Sequence, residues 1–90
     1  MYDASASGKT QEYEVSAFVK ARAEHYGRAI GKDVKTASKT LESIVRAYLD
    51  DMEINEEESF PLPVTANKQE LLVLRKLGES RFSTSRVVTL

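Results

Sequence analysis

Ala37-Ser-Lys-Thr-Leu-Glu-Ser-Ile-Val-Arg-Ala-Tyr-Leu-Asp-Asp-Met52 is the stretch on which the reading of the fold turns. Ala37, Leu41, Ile44, Val45, Tyr48, Leu49 and Met52 recur at steps of three and four, so they share one side of a 3.6-residue helix. Lys39, Glu42, Ser43, Arg46 and Asp50 fall on the other side, and Glu42 with Arg46 and Arg46 with Asp50 make favourable pairs four apart. Burying each large apolar side chain is worth roughly 1.5–3 kcal/mol. Ordering each residue's backbone costs roughly 1–2 kcal/mol. A lone helix of this length therefore does not hold, and its stripe requires a partner surface.

Upstream, Val15, Phe18, Val19, Ala23, Tyr26 and Ile30 give a second helical pattern over about 11–30, closed by Gly31 in the position of a C-terminal cap. Val15, Ala17, Val19, Ala21 and Ala23 also alternate with Ser16, Phe18, Lys20 and Arg22, the period of a strand. A strand followed by two helices is the plan of ribbon-helix-helix proteins, but the residues between Arg22 and Gly31 are too few for that fold's first helix. The alanines favour a helix. Asp33 stands where it caps the next helix, and the short Gly31-Lys32 link makes the two a hairpin.

Downstream of Met52, the prolines of Glu53–Val64 exclude a helix, so this segment is expected as an extended connector pressing Phe60, Leu62 and Val64 onto the hairpin. Asn67 with Glu70 forms a capping-box pattern ahead of Leu71, Leu72, Val73, Leu74 and Leu77, with Gly78 as the stop. The run is apolar enough to suit a strand as well; the cap and stop signals favour a third helix. Ser80–Leu90 alternates and ends Val-Val-Thr-Leu, a strand pattern. The resulting expectation is a mainly α, single domain over residues 1–90. It comprises a helix hairpin plus a third helix with a short C-terminal β-strand, a flexible arm at 1–9 and a strand tail at 80–90. A lone strand in a helical chain leaves its backbone groups unmet. It therefore calls for pairing with the N-terminal arm or with another chain, and a homodimer is expected.

Ninety residues with 41% hydrophobic and 30% charged content suit one folded unit rather than a disordered chain. With no cysteine, disulfide and thiolate chemistry are excluded. No run approaches the length of a membrane span, and the first ten residues lack the apolar core of a signal peptide, so a cytoplasmic location is the expectation. The net charge of −1 hides segregation. Lys20–Arg46 holds seven basic and three acidic residues, Asp50–Glu58 six acidic and none basic, and Lys68–Leu90 five basic and two acidic.

Three patterns that resemble chemical sites fail on their missing parts. Gly8-Lys9-Thr10 ends like a phosphate-binding loop, but the glycine required five positions earlier is Asp3. Asp51, Glu53 and Asn55 fit the start of a calcium loop, but its obligatory glycine is Glu56 and its closing glutamate is Leu62. His25 is the only histidine and has no second ligand or nucleophile implied by spacing. No cofactor, no metal and no enzymatic activity are therefore expected.

Two binding surfaces remain. Lys20, Arg22, Arg28, Lys32, Lys35, Lys39 and Arg46 form a basic patch if the hairpin pools them, suited to nucleic-acid phosphates. Arg81, Phe82, Arg86, Val87 and Val88 in the tail form the candidate protein-interaction strand. The two-helix pattern followed by a strand resembles that of the histone-like bacterial DNA-bending proteins. Their glycine-rich turn and long basic arm have no counterpart here, and no family is assigned. The functional expectation is a small non-enzymatic regulatory or protein-interaction module, with a DNA-binding regulator or nucleoid-type protein as the alternative.

Overall fold

A computed structural model describes residues 10–86. The elements run β1 (Thr10–Glu14), α1 (Val15–Ile30), α2 (Val34–Asp50), β2 (Glu57–Thr65), β3 (Lys68–Lys76) and β4 (Arg81–Arg86). The strands form one antiparallel sheet in the order β1-β4-β3-β2. The fold is therefore α+β, which corrects the expected mainly α, helical domain with a single short strand. The arm at 1–9 and the last four residues lie outside the described residues.

The two helices stand where the 3.6-residue period places them. Gly31 ends α1 in the left-handed region at φ 72°, and its N–H donates to the Gly27 carbonyl, as does that of Lys32 at 2.9 Å. α2 then starts at Val34, one turn before Ala37, and buries Ala37, Leu41, Val45 and Leu49. α1 starts four residues later than expected, because Thr10–Glu14 pairs with β4. The break between strand and helix is pinned where the Val15 N–H donates to the Ser80 carbonyl at 2.8 Å.

The expected third helix is β3, and the connector before it is β2. Phe60 opposes Leu72 across the ladder, and Leu72 and Leu74 point to the helices with Phe60 and Leu62. Pro61 and Pro63 are tolerated because β2 is an edge strand, where a missing N–H leaves no ladder bond unmade. The register shifts between Pro63 and Thr65, just before the turn into β3. Of the three connector residues expected to press on the helices, Phe60 and Leu62 are buried and Val64 is exposed.

The tail strand β4 is internal, with β1 on one side and β3 on the other. Its backbone partners come from its own chain, which removes the unmet-strand reason for expecting a second one.

The core lies between the sheet and the helix pair. Phe18 of α1 meets Phe82 of β4 edge-on at 5.2 Å and Tyr13 of β1 at 5.3 Å, and Tyr48 of α2 meets Phe60 of β2 at 4.9 Å. Lys76, at the end of β3, donates from Nζ to the carbonyls of Leu49 (2.8 Å) and Met52 (3.0 Å). It places a cation on the carbonyl end of α2, whose own last turn has no basic residue. Among the described residues, no helix is long and apolar enough to cross a membrane.

Two substitutions test this packing. A Cβ at Gly27 would stand 2.8 Å from the Lys32 carbonyl oxygen and 3.3 Å from Ala37 Cβ. Gly27→Ala gains about 1 kcal/mol of helix propensity. Forcing the helices apart costs about 1–3 kcal/mol, so the crowding wins and the melting temperature falls by several degrees. Gly27→Val, which lacks most of that gain, falls further in the same calorimetric scan. Lys76→Met keeps the stem and removes the cap, and the expected loss is about 1–2 kcal/mol in urea unfolding, with an unchanged m-value.

Candidate functional site

With both helices on one side, the other face of the sheet is open. Alternation along the strands turns Thr10, Glu12 and Glu14 of β1 and Arg81, Ser83 and Ser85 of β4 to this face. It does the same for Leu71, Val73 and Arg75 of β3 and for Glu57, Ser59 and Pro61 of β2. On this face the β4 side chains beyond Arg81 are serines, and each is flanked by bulkier ones, Ser83 by Glu12 and Arg75 and Ser85 by Thr10 and Val73. The result is a trough of about 280 Å³ floored by Ser83 and Ser85 and walled by Glu12 on one side and by Val73 and Arg75 on the other. Ser83 is only 8% exposed although it faces away from the core, because its lateral neighbours Glu12 and Arg75 overhang it.

Next to the trough, Leu71 and Val73 make a short half-buried apolar ridge along β3, and half-buried Leu77 follows the strand beyond the exposed Arg75. Two ion pairs fix the rim: Arg75 to Glu57 at 2.6 Å across β3 and β2, and Arg81 to Glu12 at 2.8 Å across β4 and β1. Exposed pairs of this kind add little stability, about 0–1 kcal/mol each. They hold both signs of charge in set positions around an apolar strip.

The basic residues expected as one patch are divided. Arg22 is half-buried on the sheet side of α1, 3.6 Å from Glu70 and stacked over Phe18 with its guanidinium carbon 5.7 Å from the ring centre. Arg28 pairs with Glu24 and Arg46 with Glu42, each at 3.0 Å and four residues apart. Lys20 is exposed on α1, and Lys32, Lys35 and Lys39 are exposed around the start of α2, Lys35 and Lys39 one turn apart.

Of the tail residues, Phe82 is fully buried in the core, Arg81 is on the trough rim and Arg86 pairs with Glu70. Val87 and Val88 lie outside the described residues. The trough was missed because Ser83 and Ser85 carry no apolar signal, and nothing local announces which strands will flank them.

The acidic segment forms a turn in which Glu53 N–H donates to the Glu56 carboxylate and Glu56 N–H returns to the Glu53 carbonyl, ahead of Asn55 N–H donating to the Lys76 carbonyl at 2.7 Å. Among the described residues, no group of three or more acidic, histidine or cysteine side chains is placed to hold a metal. Comparison with protein families, with curated proteins and with solved structures finds no match for the chain.

Asp33 stands at the start of α2. The Thr36 hydroxyl beside it holds it below the usual carboxylate range, and burial works the other way. A lowered folded value means that its stabilising effect is complete above the unfolded value and is lost as pH falls through the folded one. Wild type and Asp33→Asn are therefore expected to differ most in melting temperature near neutral pH. The difference should shrink as the pH drops below about 4.

Proposed function

We propose that this chain is a protein-interaction module that acts without chemistry and pairs with a second copy of itself through the open face of the sheet. The observation that carries the reading is the apolar ridge of Leu71 and Val73 lying directly beside the serine-floored trough. In a two-fold pairing, the same patch is used by both subunits. A ridge next to a trough suits such a pairing, because each copy's ridge can enter the other's trough. The sheets would then lie about 10 Å apart, as in a sandwich. The rim supports the same reading. It carries Arg75 and Arg81 with Glu57 and Glu12, two charges of each sign, so two copies can meet there without net like-charge repulsion.

Sedimentation across a range of concentrations tests the pairing. Wild type is expected at twice the 10.1 kDa chain mass. Val73→Arg and Ser85→Arg, each placing a long charged side chain on the open face, are expected at the chain mass with unchanged helical circular dichroism. A wild type that stays at the chain mass up to its solubility limit overturns the reading, as do variants that remain dimeric. Titration of a generic duplex in the same samples separates the nucleic-acid alternative. Binding that falls steeply with salt and is lost in Lys35→Glu with Lys39→Glu would replace the interaction module with a phosphate-binding one.

A further inference from the structure

On the helix-covered side of the sheet, clear of the open face, a cleft of about 190 Å³ opens between α1 and the β2–β3 end. One wall is charged: Glu70, with a side chain only 12% exposed, accepts from Arg86 through one carboxylate oxygen and forms an ion pair with Arg22, 3.6 Å away, through the other. The other wall is apolar, made by Tyr26, Leu62, Pro63 and Val64, with His25 at the mouth. Val64 is one of three large apolar side chains left well exposed in the described chain.

Two guanidiniums against one carboxylate leave the cluster one positive charge in excess. Each guanidinium carries five N–H donors in a rigid fork, and Glu70 occupies only part of them. The forks are already held. Arg22 is fixed between the Phe18 ring and Glu70, and Arg86 is drawn to the second oxygen of Glu70. An incoming anion therefore orders little that is not ordered beforehand. Glu70 acts as a positioning residue, spacing the two cations so that both can reach one group.

We infer that this cleft binds a monocarboxylate with a short branched apolar group beside the carboxylate. The carboxylate accepts from Arg22 and Arg86, and the branch lies on Leu62 and Val64. One negative charge brings the cluster to neutrality. The volume suits an aliphatic side chain rather than a nucleotide or a lipid. The same chemistry is offered by a free branched-chain acid and by the C-terminal carboxylate of a peptide ending in leucine.

Amide chemical shifts of the full ¹⁵N-labelled chain, titrated at constant ionic strength, test this. Isovalerate is expected to move the amides of Arg22, His25, Val64 and Arg86, acetate to bind about tenfold more weakly for lack of the branch, and isovaleramide to leave the spectrum unmoved. Acetyl-Ala-Ala-Leu with a free terminus is compared with its C-terminal amide. Tighter binding of the free-terminus peptide than of isovalerate assigns the site to chain ends, and the reverse assigns it to a free acid. Arg86→Gln, at a side chain 68% exposed, keeps the fold and is expected to weaken binding about tenfold. Val73→Arg, on the open face, is expected to leave the titration unchanged, so failure of the dimer and failure of this site read out separately. Shifts that acetate reproduces at equal concentration overturn the inference, as does binding unaltered by Arg86→Gln or the absence of localised shifts with both the acid and the peptide.

Discussion

Phe82 holds this structure together. It is fully buried in the strand between β1 and β3 and touches Phe18 of α1 and Tyr13 of β1, so one ring joins the two ends of the described chain to the first helix. The β1–β4 pairing closes a loop of some seventy residues, from Tyr13 to its partner Phe82. Loop closure carries an entropy cost that grows only slowly with length. A five-residue strand with a single apolar side chain does not hold such a closure by ladder bonds alone. Edge-to-face aromatic packing adds about 0.5–1.5 kcal/mol per pair beyond the area buried, and here the pairs converge on the point where β1 turns into α1. The Val15 N–H bond to Ser80 locks the same corner from the backbone.

That closure creates the open face. Because β4 sits inside the sheet, its short outward side chains Ser83 and Ser85 lie between two taller rows instead of at a border. The inward side of the same strand carries Phe82 and Thr84, both buried. One six-residue strand thus supplies the anchor of the core on one face and the floor of the trough on the other, through the two-residue period alone. The carboxylate cleft lies on the helix side, at the opposite end of β4, where Arg86 follows the last buried position. The two proposed surfaces are separated by the thickness of the sheet.

The helices were legible because the apolar residues of α2 recur with only one period, the alanines of α1 outweigh its competing alternation, and Gly31 and Asp33 mark the junction in plain chemical terms. Of the sheet, only β4 was legible, within the alternating Ser80–Leu90 stretch; the other three strands were not, each for a different reason. In β1, Thr10-Gln-Glu-Tyr-Glu14 offers one apolar residue and hence no alternation to read. In β2 the prolines argue against a strand unless it is known to be an edge, which only the assembled sheet reveals. In β3, Leu71 and Val73 are half-covered on the open face while Leu72 and Leu74 are buried on the other, so burial on both sides erased the alternation and left a run that a helix fits equally well. Asn67 and Glu70 then imitated a cap, although Asn67 lies in the β2–β3 turn and Glu70 is bound by two arginines. Charge was legible as segregation but not as pairing: Glu24 and Glu42 lie four residues from the arginines they neutralise, whereas the Glu70 partner of Arg22 comes from a distant strand.

Charge adds to the core in specifying strand register in this sheet. Every seam carries one arginine–glutamate bridge: Arg81 to Glu12 between β4 and β1, Arg86 to Glu70 between β4 and β3, and Arg75 to Glu57 between β3 and β2. Individually they are weak, about 0.2–1 kcal/mol for a cross-strand pair. Their placement matters more than their strength. Sliding any strand by one residue sends its side chains to opposite faces. It would turn Phe82 or Leu74 to water and also separate the bridge on that seam. β1 has only Tyr13 to signal its inward side, and β2 has only Phe60 and Leu62 ahead of a register shift, so the two edge strands are those with the weakest apolar instruction. On these the bridge adds to a discrimination that rests on few apolar side chains. The two edge-strand bridges both lie on the open face, so the charges that set the register also form the rim through which the proposed partner is met.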